Sequence, residues 1–450
     1  MQIFLCISLC MVNRKRLIMN TALLTGSSLA MSAISMAFQV WLAGRIGSAG
    51  IGLYQLVLSV AFLCTTFAVS GIRFAATRLV SEELGHERSW SVAAAMRRCF
   101  AYSLFFGLSA MAVLFSFAEP IGFLWIGDAR TVKSLKLIAF SMPFLSLSSV
   151  MSGYFTACGR VWKPTVVHLG EQLITIGFVA YFLTHSPAGD IEKNCAAVML
   201  GNVCGDVISF VCMLLFYLTD RHSVKDYSAQ KLKLTSRMLK VALPLAVSAY
   251  ARSALSTLEH LLVPRGLKAA GFSADRALSG YGVIQGMVLP IVSFPACILM
   301  ALAELIIPEL TEAQVRGNDG DISKTVSLLI KKGLGYSSAV ALVLFVFADK
   351  LGVRIYSSPE AGDYLRLLAP LIPIMYTDMV ADGCLKGLGQ QLWCMGINLL
   401  DALLGVLLVW QVLPVFALKG YICIIYFNEC LNFALSIMRL RKVTKIRLFS

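Results

Sequence analysis

Residues 195–218 read CAAVMLGNVCGDVISFVCMLLFYL, an apolar run broken by one charge, Asp206. A helix rising about 1.5 Å per residue needs roughly 20 such residues to cross about 30 Å of hydrocarbon. The run therefore reads as a membrane-spanning helix. Working outward from it, comparable runs bounded by charges, glycine or proline recur along the whole chain. They cover about 17–44, 51–77, 97–118, 132–157, 163–184, 195–218, 236–263, 279–306, 325–348, 363–387, 391–415 and 418–438, twelve expected spans in all. Pro143 lies inside the fourth, and Pro370 and Pro373 inside the tenth, so both are expected to be kinked.

Composition agrees with that reading and excludes others. Of 450 residues, 58% are hydrophobic and 14% charged, where a soluble domain has about 45–50% and 25%. Disordered and collagen-like chains need few large apolar residues, so both are excluded. The formal charge is +14, with 39 basic against 25 acidic residues. A nucleic-acid binder would gather such an excess into one patch; here it lies in short clusters between apolar runs. Assigning alternate loops to opposite sides gives a two-to-one excess of Lys and Arg on the side of both termini. The positive-inside rule then places both termini in the cytoplasm of a multi-pass cell-membrane protein. Met1–Val12 is apolar and precedes the charges Arg14-Lys15-Arg16, the reverse of a signal peptide. It reads as an upstream extension or interfacial segment, with Met11 or Met19 as alternative starts.

The 13 cysteines include no Cys-x-x-Cys pair, and the five histidines are not paired with one another. They read as packing residues rather than a zinc site, and no metal or cofactor is expected. Enzyme signatures are missing too. No G-x-x-x-x-G-K-[ST] loop, Gly-x-Ser-x-Gly or His-Glu-x-x-His is present, and the loops are too short to form a catalytic domain.

A repeat is visible in the spacing. Ala139, Pro143, Gly153, Gly159 and Glu171 recur as Ala369, Pro373, Gly383, Gly389 and Asp401, each pair 230 apart. Tyr54 and Glu82 align with Tyr281 and Glu309 at 227, which implies a short indel. The offset carries six helices onto six without reversing direction, the mark of parallel repeats about the membrane normal. The expected fold is thus all-α: a six-helix bundle over 17–218, a basic cytoplasmic linker at 219–235 and a second bundle over 236–440, facing each other across a central cleft. Rocking one bundle against the other would give alternating access, the plan of a transporter; duplicated helices with a purely structural role are the plainer alternative.

Ionisable groups at bilayer depth need a cavity or a partner. Arg252 lies near the middle of span 7, with Glu259 two turns on along the same face and Ser248, Tyr250 and Ser256 nearby. It is read either as contacting an anionic headgroup or as pairing with an acid on another span. Arg73, after Ser70-Gly71, is read as binding phosphate or as snorkelling to the inner headgroups. Glu171, Asp206, Asp401 and Glu429 also lie deep. They fit ion coupling, or counter-ions for Arg252 and Arg73.

Gly50-Ile51-Gly52-Leu53-Tyr54-Gln55, Ser70-Gly71-Ile72 and Arg78-Leu79-Val80-Ser81-Glu82 together resemble the stage V sporulation protein B group of the multidrug/oligosaccharidyl-lipid/polysaccharide exporter superfamily. Gly153-Tyr154-Phe155 with Pro164 and Glu171-Gln172 resembles its second signature. Tyr281-Gly282, Pro290, Pro295 and Pro308-Glu309-Leu310 resemble the second-half counterpart. The chain departs from the group at Arg73, where proline is usual, and at Ser152 and Thr175, where arginine is usual. The resemblance, from about residue 20 to 440, implies a flippase for an undecaprenyl-diphosphate-linked cell-wall or spore-cortex precursor. Its partners would be that lipid-linked oligosaccharide and membrane lipids, with no nucleic acid, and a monomer is expected. Two other readings stay open: a cation-coupled exporter of small amphipathic drugs, and a non-transporting membrane scaffold.

Overall fold

The computed structural model describes residues 2–85, 89–187, 189–220, 234–316 and 319–444. All regular elements among them are helical, and the contacts divide the chain into two compact units. Unit 1 comprises Met1–Ser27 and Val57–Thr257; unit 2 comprises Ser28–Leu56 and Leu258–Ser450. The boundaries fall inside helices, after Ser27, Leu56 and Thr257. Most of the expected linker at 219–235 lies outside the described residues.

In chain order the first helices are α1 (Gln2–Val69), α2 (Ile72–Gly85), α3 (Ser89–Ser116), a short α4 (Ala118–Pro120), α5 (Val132–Ala139), α6 (Met142–Ala157), α7 (Trp162–Thr184), α8 (Ile191–Asp220) and α9 (Leu234–Ala269). Then follow α10 (Ala274–Gly282), α11 (Leu289–Ser293), α12 (Ala296–Val315), α13 (Asp319–Tyr356), α14 (Pro359–Leu368), α15 (Ile372–Gly387) and α16 (Gln391–Thr444). Seven stretches are long and apolar enough to cross a membrane, or nine with two bent pairs counted as spans. Two of the seven each hold two expected spans, because α1 breaks at Gly47 and α16 at Ala417, where the backbone leaves the helical region. The protein is an all-α, multi-pass membrane protein.

Proline decides where spans bend. Pro143 stands in the first turn of α6, where its missing N–H costs nothing, and the fourth span is a pair of helices bent by 44°. In the tenth, Pro370 sits in a 3-10 turn over Ala369–Leu371 and Pro373 opens α15. The eighth expected span also bends, by 57° between Ser293 and Ala296, next to Pro295.

Unit 1 closes around a core in which Ile72, Ala76 and Val80 of α2 meet Met96 and Cys99 of α3, Phe155 of α6, Met213 of α8 and Ala242 of α9. Tyr217 anchors it by edge contacts with Tyr154, at 5.1 Å between ring centres, and Phe100, at 5.4 Å. At its rim, buried Lys163 lies over the rings of Phe155, Trp162 and Phe216 and reaches Asp220 at 3.2 Å. In unit 2, Tyr376 is fully buried, stacks on Tyr336 and donates to the carbonyl of Val292. The cysteines whose side chains are described, from Cys64 onward, are free thiols.

The sequence repeat has a geometric counterpart inside each unit. α6 ends with Arg160 donating its N–H to Phe155, and α15 with Gln390 donating to Leu385, at 2.8 and 2.9 Å. Gly159 and Gly389 follow those ends with φ of 69° and 71°, the left-handed conformation of a helix C-cap. Gly153 brings α6 onto the backbone of α2 at Arg73, and Gly383 brings α15 onto α12 at Ala303. All these pairs differ by 230.

The 227 offset is corrected by the crossing of α1 with α10 in unit 2. A methyl group on Gly52 would collide with the carbonyl of Leu278, and one on Gly282 with the carbonyl of Ser48. Ser48 corresponds to Leu278 and Gly52 to Gly282 at 230, so the contact is reciprocal. Close backbone approach fixes the register here, as small residues do between membrane helices. The match of Tyr54 with Tyr281 is a likeness of residue type, not of position. The side chain of Glu309 lies outside the described residues.

Candidate functional site

The residues singled out from sequence fall into separate polar groups. In unit 1, α9 presents two faces. Ser253 and Thr257 are buried against α1, where Thr66 donates to Ser253 at 3.2 Å and Thr257 donates to the carbonyl of Ser59 at 2.9 Å. Arg252, one residue from Ser253, projects instead from the exposed face and forms no ion pair with another described residue. Two residues before it, the Tyr250 hydroxyl meets Ser70 at 2.5 Å, and Ser70 also meets Tyr102 at 2.8 Å. Ser70 is fully buried at the break between α1 and α2, with φ of 45°. The break thus turns a hydroxyl toward two tyrosines.

Arg73 follows that break. It too is exposed and without an ion-pair partner among the described residues. Within unit 1, neither Glu171 nor Asp206 pairs with either arginine among the described residues.

The acids instead associate with hydroxyls and with one another. In unit 1, Glu171 of α7 accepts from Ser209 of α8 at 2.6 Å and contacts His168 Nδ1 at 3.2 Å. Asp206 of α8 lies within interaction range of Glu171 and of the Ser141 hydroxyl. In unit 2, Glu259, on the last turns of α9, sits over Gly405 of α16, where a methyl group would lie 2.8 Å from its carboxylate. Asp401, one turn before Gly405, is within electrostatic range of Glu259, Asp378 and Glu429. Asp378 Oδ1 and Asp401 Oδ1 are buried and make no hydrogen bond among the described residues. Among the described residues no three His, Cys, Asp or Glu side chains converge closely enough to hold a metal ion.

Sequence reasoning passes over two elements of these groups. Asp378 carries a signal, an acid inside the apolar run 363–387. The other is a charge cluster at the start of α9. Arg237 donates to Glu82 at 2.5 Å and to Glu83 at 2.8 Å, and Glu83 is fully buried. Ser91 donates to the second oxygen of Glu83 at 2.5 Å, and Arg98 donates to Thr235 at 2.8 Å. Only the fold brings these distant segments together.

With that geometry established, family comparison is informative. A model of the polysaccharide biosynthesis protein family matches residues 17–302. The chain belongs to the polysaccharide biosynthesis protein family. A second model, MatE, matches residues 268–411, so family likeness extends through the second half, where the carboxyl group of unit 2 lies. Among relatives of this family member, stage V sporulation protein B of Bacillus subtilis (strain 168) is 25% identical over 400 residues, covering 86% of this chain and 75% of the relative. Sporulation protein YkvU of the same organism is 24% identical over 380 residues, covering 83% of each. Among solved structures, an inward-facing multidrug resistance MATE family transporter of the MOP superfamily matches with a TM-score of 0.70 at 14% identity, over 93% of this chain and 96% of that one. The polysaccharide biosynthesis family member thus shares the fold of that MATE family transporter.

Proposed function

We propose that this protein is a transporter that flips a lipid-linked oligosaccharide, an undecaprenyl-diphosphate-linked cell-wall or spore-cortex precursor, by alternating access of two parallel six-helix halves. Both termini lie in the cytoplasm, and one copy suffices. The observation that carries the reading is Arg252, a guanidinium midway along an apolar helix, exposed and without an ion-pair partner among the described residues. Such a group is costly in a membrane unless it meets an anion or water, and a diphosphate offers oxygens spaced for a guanidinium fork. Arg73, in the same unit, is the second expected contact to phosphate, while Glu259 lies with the acids of unit 2. Membership of the polysaccharide biosynthesis family and the two sporulation relatives support this cargo class. The test is reconstitution in liposomes with a fluorescent polyprenyl-diphosphate sugar, comparing the wild-type protein with Arg252→Ala. Equal lipid movement with and without protein overturns the reading.

A second reading has its own observation. The buried, unpartnered oxygens of Asp378 and Asp401 near Glu259 and Glu429 suit uptake of a proton or a small cation, so these acids, with Glu171 and Asp206, are the coupling candidates. In a cation-coupled exporter of amphipathic drugs they would matter more than Arg252. Extrusion of ethidium from the same liposomes, abolished by Asp378→Asn and unaffected by Arg252→Ala, would select it.

A further inference from the structure

A cavity of about 240 Å³ lies between the last turns of α2 and the first turns of α9 in unit 1. Ala75, Leu79 and Val241 form its apolar wall; Arg78, Arg237 and Lys240 bring three cations to it, against one carboxylate, Glu82. That carboxylate is divided between two partners, one oxygen on Arg78 Nε at 2.9 Å and the other on Arg237 Nη2 at 2.5 Å. Lys240, one turn beyond Arg237, is exposed and has no ion-pair partner among the described residues.

Arg237 is not simply one half of a surface pair. Its other nitrogen, Nη1, is held at 2.8 Å by Glu83, which is fully buried and fixed by Ser91. The buried carboxylate sets the position of the guanidinium and leaves one edge of it toward the cavity. There Glu82, about one-third exposed, occupies the place an external anion would take. A solvent-screened ion pair of this kind is weak, so a ligand of higher charge can displace it. A phosphate or diphosphate offers more oxygens than one carboxylate and would gain Lys240, which Glu82 does not engage.

We infer that this cavity is a binding site for a phosphate or diphosphate group, with Arg78, Arg237 and Lys240 as its ligands, Glu83 as the residue that positions Arg237, and Glu82 as an internal competitor. In the orientation proposed above, the site faces the cytoplasm. It stands independently of the transported cargo, since it concerns binding at one end of unit 1.

The test uses the full chain in detergent, titrated calorimetrically with inorganic pyrophosphate, and the same chain exposed to nanodiscs containing phosphatidic acid or phosphatidylcholine alone. Expected are saturable binding by the wild type and weakening of roughly tenfold or more in the double variant Arg78→Gln with Lys240→Gln. Glu82→Gln is expected to tighten binding by roughly tenfold, one charge-assisted contact's worth. Both residues of the double variant are exposed, so its melting temperature is expected to stay near that of the wild type. Glu312→Gln, the same charge change on an exposed residue of unit 2, should leave the affinity unchanged. If only phosphatidic acid discs bind, with the same order of variants, the site belongs to a lipid headgroup. Binding of neither probe overturns the inference, as does a Glu82→Gln variant no tighter than wild type, or a Glu312→Gln variant that tightens equally.

Discussion

Glu83 and Arg237, 154 residues apart, meet at 2.8 Å with the carboxylate fully buried. The pair fixes the start of α9 onto α2. A buried carboxylate that loses its only cation is costly, whereas removing both charges together is often neutral. Arg237→Met should therefore destabilise the protein by about 3 kcal/mol, and the double variant Glu83→Gln with Arg237→Met should recover much of that loss. Thermal unfolding in detergent is the measurement. An Arg237→Met melting temperature equal to that of the wild type would show that the pair contributes nothing.

The reciprocal contact of Gly52 and Gly282 leaves no room for a side chain on either. Alanine at either position forces backbone apart and should cost about 1–3 kcal/mol. Gly396, with open space where a methyl group would point, is the internal control, because alanine there gains about 0.5–1 kcal/mol of helix preference. Opposite shifts in melting temperature are expected for Gly282→Ala and Gly396→Ala.

Gly159 and Gly389 share a left-handed conformation, with open space where a methyl group would go. Alanine at either has no clash to relieve, only the conformational cost of about 1–2 kcal/mol. The two variants should lower stability by similar amounts. Unequal losses, one near zero, would count against equivalent helix ends in the two halves.

Arg252→Ala should slow movement of the polyprenyl-diphosphate lipid by about 10- to 100-fold, the loss of a contact worth about 1.5–3 kcal/mol. The exposed side chain has no ion-pair partner to strand among the described residues, so stability should change little. Arg252→Lys keeps the charge without the planar fork and should fall between the two. Flipping in liposomes, measured beside the melting temperature, separates a binding role from a structural one.

Much of the fold is legible in the amino-acid order, though unevenly. The expected spans fall on helices because each is a continuous apolar run whose signal is local. The C-caps at Gly159 and Gly389, and the helix starts at Pro143 and Pro373, show as a fixed spacing, since each needs a particular residue type. The 227 offset misleads because it matches a tyrosine and a glutamate by identity, while the register is set by backbone contact through Gly52 and Gly282. The bend at Pro295 is not legible although the proline is there, because a proline in an apolar run can start a helix, kink one or be absorbed.

By itself the sequence determined a helical chain at home in a bilayer, repeated in two halves, with arginines and acids where lipid would not tolerate them unaccompanied. Hydrophobic run length and special backbone conformations are properties of short segments, and so could be read from them. Only the tertiary structure decided which distant charges meet: Arg237 with Glu82 and Glu83, Glu171 with Ser209, Asp401 near Asp378, and Arg252 with no described counter-ion. Those pairings depend on which face each helix turns to its neighbours and at what register, and packing across the whole bundle sets both.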